Sequence, residues 1–393
     1  MRENSKSEID NELIHFIATS QFPISRTDLA KRTGLSKMTV SKHISELIRS
    51  GLIVESDSIV SAHSMGRNPV SLSLSNTSPC ICGMRIKKGC ITTIFADISG
   101  KIIDMVKHYF NKMENQEELT AILLSQYDEL ASRTKRRILG CGISSIGPID
   151  HRKGRLLTPA NFYGISNYPI VSIIHEHTGL PTYLIHDAKA GALVEKLYGR
   201  GHLCDNYIYL FISEGIGMGL VMNGQLFYGF SGQNGEIGHV SINFSGPKCS
   251  CGNNGCLEQY ASVEKMQKKI AKLLPLFPKS VFHKMMQPSW EEIIRQAAVD
   301  DPIAITVLDE FCSYLGYAID NLLKILEIPT VIVGCDSMAA SDIVAKMLRE
   351  KIKDSGSFIR SDMNILSSQF EDASLLGAIA VVADEVFKQN IAL

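Results

Sequence analysis

The residues best placed to do chemistry lie in one short run. His239 is followed by Cys249-Ser250-Cys251-Gly252-Asn253-Asn254-Gly255-Cys256. One imidazole and three thiols form a donor set that suits a tetrahedral zinc ion. Gly252 and Gly255 let the loop fold back so that Cys256 can reach the ion. With His239, Cys249, Cys251 and Cys256 all engaged, no coordination position stays open. The expected zinc is therefore structural and does not activate water.

A second group of side chains is polar. Asp187 follows the apolar strand Tyr183-Leu184-Ile185, and Asn161 sits in Pro159-Ala160-Asn161. Glu236 and His239 lie three apart in Gly-Glu-Ile-Gly-His, and Glu258 follows Cys256 by two. A lone aspartate at a strand end often caps a helix. Here the metal loop would bring His239 and Glu258 together, and groups that accept from neighbouring hydroxyls are what a sugar site requires.

A third group lies near the start of the chain. Apolar residues at 9, 13, 14, 16 and 17 predict a helix over 7–19, and Pro23 ends it. A second helix is expected over 27–33. Gly34-Leu35-Ser36 is a tight turn with an N-cap serine, and a third helix runs over 37–50 to Gly51. Leu52–Val54, Ile59-Val60 and Val70–Leu74 read as short strands, with Gly66-Arg67-Asn68-Pro69 as a turn. Helices around a Gly-Leu-Ser turn, followed by a β-ribbon, form a winged helix-turn-helix pattern. The polar face of the third helix is read as Ser36, Lys37, Thr39, Ser41, Lys42 and His43, side chains suited to phosphates and base edges. Arg67 on the wing would reach a minor groove or a phosphate.

The 393 residues carry a net charge of −1, which argues against a uniformly basic nucleic-acid coat. That average hides a division. Residues 24–70 hold seven basic and four acidic side chains, a local +3, which leaves −4 for the remainder. Hydrophobic residues at 45% and charged residues at 21% exclude long disorder, collagen and coiled coil. The charged start, Met1 to Glu8, has no apolar core of a signal peptide. The most apolar stretch, 206–222, contains Glu214 and three glycines and is too polar for a membrane span. A cytoplasmic location is expected, where clustered cysteines bind metal rather than form disulfides.

Beyond residue 78 the pattern becomes α/β. Strands are expected over 80–86, 90–97 and 102–109, with turns at Lys88-Gly89 and Ser99-Gly100. A helix over 116–135, a strand over 138–144, a strand closed by His186, and a hairpin of 207–212 with 217–222 follow. Helices dominate 256–326, a buried strand spans 330–333, and a last helix covers 372–389. This alternation predicts a two-lobed domain.

These motifs, in this order, resemble the ROK family of repressors, open reading frames and kinases. Gly142-Ile-Ser-Ser-Ile-Gly-Pro-Ile-Asp150 is similar to its Gly-Ile-x-x-Pro-Gly-x-Val-Asp turn, and Pro159-Ala160-Asn161 to its Pro-x-Asn. His186-Asp187-Ala188 corresponds to its Asn-Asp-Ala. Gly235–His239 and Cys249-x-Cys-Gly-x-x-Gly-Cys-x-Glu258 match its two signature motifs. The resemblance covers essentially the whole chain, because the repressor branch also carries an N-terminal winged helix. It implies a winged helix-turn-helix over 1–76, then an actin-like (ribonuclease H-like) sugar-kinase fold over 77–393. Lobe one would span about 77–187 plus 372–393, and lobe two about 188–371 with the zinc loop. It implies that Asn161, His186, Asp187, Glu236, His239 and Glu258 bind a sugar, with the backbone near Gly147 approaching it. Asp187 matches the kinases' general base. His239 would serve zinc through one ring nitrogen and the sugar through the other.

The departures concern nucleotide binding. The kinases carry Asp-x-Gly-Gly-Thr on the first hairpin, where this chain has Arg85-Ile86-Lys87-Lys88-Gly89. A second phosphate loop, Gly-Thr-Gly in the family, reads Ser213-Glu214-Gly215, and a third glycine cluster reads Gly334-Cys335-Asp336. On the sugar side, His186 replaces an asparagine. The expectation is a non-catalytic, sugar-responsive repressor that does not use ATP. As a homodimer or homotetramer it would bind operator DNA, with a sugar or sugar phosphate as effector and no membrane partner. Two alternatives stay open: an active sugar kinase with an appended DNA-binding head, and a constitutive DNA-binding regulator with a vestigial sugar pocket.

Overall fold

The computed structural model describes residues 6–57, 70–157, 164–213, 215–354, 363–388, 391 and 393. Arg67 on the wing turn, Asn161, and Glu214 of the second phosphate loop lie outside them. The chain separates into two compact units, 1–186 with 375–393, and 187–374.

The first unit begins with α1 (Lys6–Ala18), α2 (Arg26–Thr33) and α3 (Lys37–Arg49), followed by the antiparallel ribbon β1 (Ile53–Asp57) and β2 (Val70–Leu74). This is a winged helix-turn-helix. Its turn is fixed by local chemistry. Ser25 and Asp28 form a reciprocal capping box at the start of α2, and Gly34 ends that helix at φ 72°, a conformation glycine adopts without strain. Ser36 Oγ then accepts from Thr39 N at 3.1 Å and starts α3. Leu13, Leu29, Val40, Ile44 and Ile53 meet in a core and are fully buried.

One sequence reading is corrected here. His43 is not on the outward face of α3; it is buried, and its Nδ1 lies 2.7 Å from Asp10 Oδ1 on α1. Positions 40, 43, 44 and 47 form one helical stripe, so spacing already places His43 on the buried face; its partner, 33 residues away, is what the sequence does not show.

The rest of this unit is a five-stranded sheet of order β5-β4-β3-β6-β9. Its strands are β3 (Cys80–Lys87), β4 (Cys90–Asp97), β5 (Ile102–Tyr109), β6 (Ile138–Ser145) and β9 (Thr182–His186). The first three form an antiparallel meander, and β6 and β9 continue parallel from β3. A small ribbon, β7 (Ile149–Asp150) and β8 (Arg155–Leu156), follows β6. Helices α4 (Gln116–Arg133) and α5 (Ile170–Thr178) pack on one face with Met84, Phe95, Cys141 and Ile143. On strands whose side chains alternate, Gly83 and Gly142 point the other way, toward α11 (Ala373–Phe387). At its far end α11 meets the winged module. Phe387 stacks on His15 at 4.3 Å, and Leu393 packs against the module's core.

The second unit repeats the strand plan, with order β12-β11-β10-β13-β14. Here β10 (Tyr207–Ile212), β11 (Ile216–Met222) and β12 (Gln225–Leu226) form the meander, and β13 (Thr330–Cys335) and β14 (Asn364–Ser367) run parallel to β10. Alternation along β10 divides its faces. Ile208, Leu210 and Ile212 pack with α7 (Val263–Leu273), α8 (Trp290–Ala297), α9 (Pro302–Leu326) and α10 (Met338–Asp354). Tyr207 and Tyr209 face α6 (Asp187–Tyr198), where Tyr207 Oη donates to Ala192 O at 2.6 Å and Gly191 leaves room for the Tyr209 ring. No described helix is long and apolar enough to cross a membrane.

Candidate functional site

The metal-ligating candidates converge. Ligand atoms of His239, Cys249, Cys251 and Cys256 all lie within 4.8 Å of one another. Cys249 Sγ is 3.6 Å from His239 Nδ1, and Cys251 Sγ is 3.6 Å from Cys256 Sγ. A tetrahedral zinc with Zn–S of ~2.3 Å and Zn–N of ~2.0–2.1 Å requires edges of about 3.6–3.8 Å between ligand atoms. Those two edges match this geometry, and the four residues together could hold a metal ion.

Backbone geometry holds the loop in this form. Cys249 N donates to Asn253 O at 2.8 Å, Gly255 N to Pro247 O at 2.8 Å, and Ile242 N to Gly255 O at 2.9 Å. Gly255 sits at φ 61°, and a Cβ there would lie 1.7 Å from Asn243 O, so no other residue fits. The donor chemistry points the same way. Burial raises the Cys249 thiol, but the Cys251 N–H and the side chains of Cys251, His239 and Cys256 outweigh it and bring the pKa down to about 6. Cys256 goes the other way, pushed up to about 12 by burial and by its two thiol neighbours. Thiols this close resist ionising together, and a dication at their centre removes that conflict.

Of the polar residues of the second unit, His239 belongs to the cluster and Glu258 follows Cys256 by two. Glu236 and His239 border the short turn Ile237–His239, which is pressed against β11; a Cβ on Gly235 would meet Met218 O at 2.1 Å. Glu258 Oε1 accepts from Ile216 N at 2.9 Å, tying the metal loop to the hairpin. Asp187 opens α6, and its Oδ1 accepts from Ala188 N at 2.6 Å. His186 ends β9, and Gly147 follows β6 in the first unit.

Sequence reading missed Lys189. Its side chain is 3% exposed, and its ammonium donates to Gly232 O at 2.7 Å. Burial brings its pKa down to about 8, while the negative charges of Glu236 and Asp187 resist the fall. The available signal was a single cation in the apolar run Ala188–Val194.

Below pH 8 Lys189 is protonated in both states, so its burial penalty is constant. Between pH 8 and its ordinary value of 10.5 the folded protein releases the proton while the unfolded chain keeps it. Stability then rises with pH, by up to about 3 kcal/mol. Urea titrations should show wild type gaining on Lys189→Met across that window; parallel curves would refute the assignment.

On the winged module, Lys37 and Lys42 are exposed on α3, with Thr39 and Ser41 half-buried. Ser36 Oγ and Thr39 Oγ1 lie 2.8 Å apart within the cap. Arg26, basic but inward, bonds Ser41 O at 3.1 Å, Ser45 Oγ at 3.2 Å and Glu55 at 2.9 Å, and so fixes α2 to α3 and the ribbon.

Comparison with known proteins adds the following. The ROK family profile matches residues 91–385, and a winged helix-turn-helix DNA-binding profile matches 23–54. The xylose repressor of Bacillus subtilis is 31% identical over 92% of this chain and 91% of its own. A crystal structure of a ROK family transcriptional regulator, a homologue of the E. coli Mlc protein, superposes with a TM-score of 0.76 at 27% identity, covering 97% of this chain and 96% of that one. A ROK family glucokinase from Streptomyces griseus, solved with glucose and AMPPNP, shares the fold at 23% identity and a TM-score of 0.67, over 77% of this chain and 98% of its own.

Proposed function

The chain belongs to the ROK family, and on that premise we propose that it is a sugar-responsive, DNA-binding transcriptional repressor of carbohydrate uptake or catabolism genes. The observation that carries this reading is a winged helix-turn-helix, with a basic exposed α3, on the same chain as the family domain. Relatives named as repressors match along almost the whole length, which supports it.

In this proposal Lys37 and Lys42 contact operator phosphates or bases, with Ser36, Thr39, Ser41 and Arg67 beside them. Asn161, His186, Asp187, Glu236, His239 and Glu258, with the backbone at Gly147, bind a sugar or sugar phosphate. Zinc on His239, Cys249, Cys251 and Cys256 supplies a structural cross-link. His239 presents Nδ1 to that donor set, which leaves Nε2 for the effector. The protein works in the cytoplasm as a homodimer or homotetramer on a two-fold operator. The effector acts only through different affinities for the DNA-binding and released states.

The proposal also treats the protein as non-catalytic, with Asp187 a vestige of the kinase base. Lys87 and Lys88 stand where the kinases have glycines, and Cys335 and Asp336 follow Gly334. Gly334 itself is claimed by packing, since a Cβ there would lie 1.8 Å from Tyr209 Oη.

The test is a thermal-shift screen of pentoses, hexoses, amino sugars and their phosphates, repeated with operator DNA, beside a coupled assay for ADP release. A ligand that stabilises the protein and shifts its DNA affinity is the expected result. Sugar-dependent ADP release would replace this reading with the kinase one. Lys42→Ala should weaken operator binding and lower its salt slope by about one unit. An unchanged slope would remove Lys42 from the phosphate contacts.

A further inference from the structure

The recognition helix carries one side chain that phosphate binding does not use. Met38 lies in the first turn of α3 and is 81% exposed. It lies on the outward face. Val40, Ile44 and Leu47 turn toward the module's core, and Met38 points the opposite way, in line with Lys42 and Arg49 along the helix. Lys37, Lys42 and Arg49 are all exposed, so an apolar side chain stands among exposed basic ones, at the head of the row that Lys42 and Arg49 continue.

A solvent-exposed thioether gains nothing for the fold, and α3 is already anchored by its core face and by Arg26. In a major groove the situation changes. The charged neighbours match the phosphate walls on either side, and the groove floor offers one apolar feature, the C5-methyl of thymine. Methionine suits that contact, being unbranched, polarizable and long enough to follow the base edge from a helix start.

Resting on the DNA-reading conclusion above, we propose that Met38 is a specificity-determining residue that reads a thymine methyl group in each operator half-site. Lys37 and Lys42 position the helix, and Met38 distinguishes thymine from cytosine or uracil at one step.

The experiment uses the full-length protein and a duplex that it selects from a random-sequence pool. Each thymine of that duplex is replaced in turn by uracil, which removes only the methyl. One replacement per half-site should weaken binding about fourfold, the equivalent of ~0.8 kcal/mol for one buried methyl. In Met38→Ala that uracil penalty should vanish, while the salt slope and the uracil-insensitive positions stay as in wild type. Selection of a specific duplex with no methyl-sensitive thymine, or an undiminished penalty in Met38→Ala, overturns the Met38 assignment alone. Failure to enrich any duplex overturns the DNA-reading conclusion and the assignment with it.

Discussion

Cys251→Ser should strip the metal centre and lower the protein's thermal midpoint by more than any surface substitution elsewhere. Cys251 is the informative ligand because it is exposed, whereas Cys249 and Cys256 are buried. Serine at 251 therefore removes a thiolate without burying a new hydroxyl, and its effect reports the metal alone. Structural zinc contributes ~10–16 kcal/mol of binding in small zinc peptides. Losing one of four ligands should lower zinc affinity by at least about 100-fold. The loop from Cys249 to Cys256 would then be held by a few backbone hydrogen bonds and by Ser241 Oγ and Lys248 Nζ, which donate to Asn254 O and Gly252 O. Glu258, two residues on, would lose the anchor that keeps its carboxylate on Ile216 N. The effector-dependent thermal shift should fall along with zinc content. Unchanged zinc by metal analysis would exclude Cys251 as a ligand. Lost zinc with an unchanged effector response would separate the metal from the sugar site.

How much of this was legible in the sequence depends on distance along the chain. The four candidate metal ligands lie within 18 positions and need only one loop to meet, so residue types and spacing sufficed to group them. Strands β3 to β5 were equally readable, because their turns fall at Gly89 and Gly100, both at positive φ. Non-local partners were not readable. His43 shares the buried stripe of Val40, Ile44 and Leu47, which spacing shows, but its acceptor Asp10 on α1 carries no local signal. Lys189 looks solvated until Gly232, 43 residues away, accepts from its ammonium. Strand β14 has four residues and exists only through parallel pairing with β13, which carries no local signal. The candidate sugar-binding residues run from Gly147 to Glu258, and in the sequence only motif order links them. The strand expected over 138–144 is β6, and Gly142, first residue of the ROK-like motif, lies inside it.

That glycine should give the largest purely packing effect in the first unit. Gly83 and Gly142 are directly paired across the parallel strands β3 and β6, so two side chains are missing side by side on one face of the sheet. Helix α11 lies in the resulting groove, with Ala378, Ile379 and Val382 fully buried. The two sites nevertheless meet different obstacles. A Cβ on Gly142 would lie 1.8 Å from the Ala378 carbonyl oxygen, so the helix backbone itself must move. A Cβ on Gly83 would meet Ile379 Cδ1 at 2.8 Å, the end of a flexible side chain. Gly142→Ala should therefore cost about 3 kcal/mol or more, and Gly83→Ala about 1 kcal/mol. Ile379→Val should relieve Gly83→Ala by removing the clashing methyl, and should do nothing for Gly142→Ala, where trimming a side chain leaves the carbonyl in place. Urea midpoints of the four variants decide the matter. Equal costs for the two alanines, or rescue of Gly142→Ala by Ile379→Val, would mean that α11 is not seated on the glycine pair. A displaced α11 would also carry Phe387 away from His15, so Gly142→Ala should loosen the winged module while zinc content, set entirely in the other unit, stays unchanged.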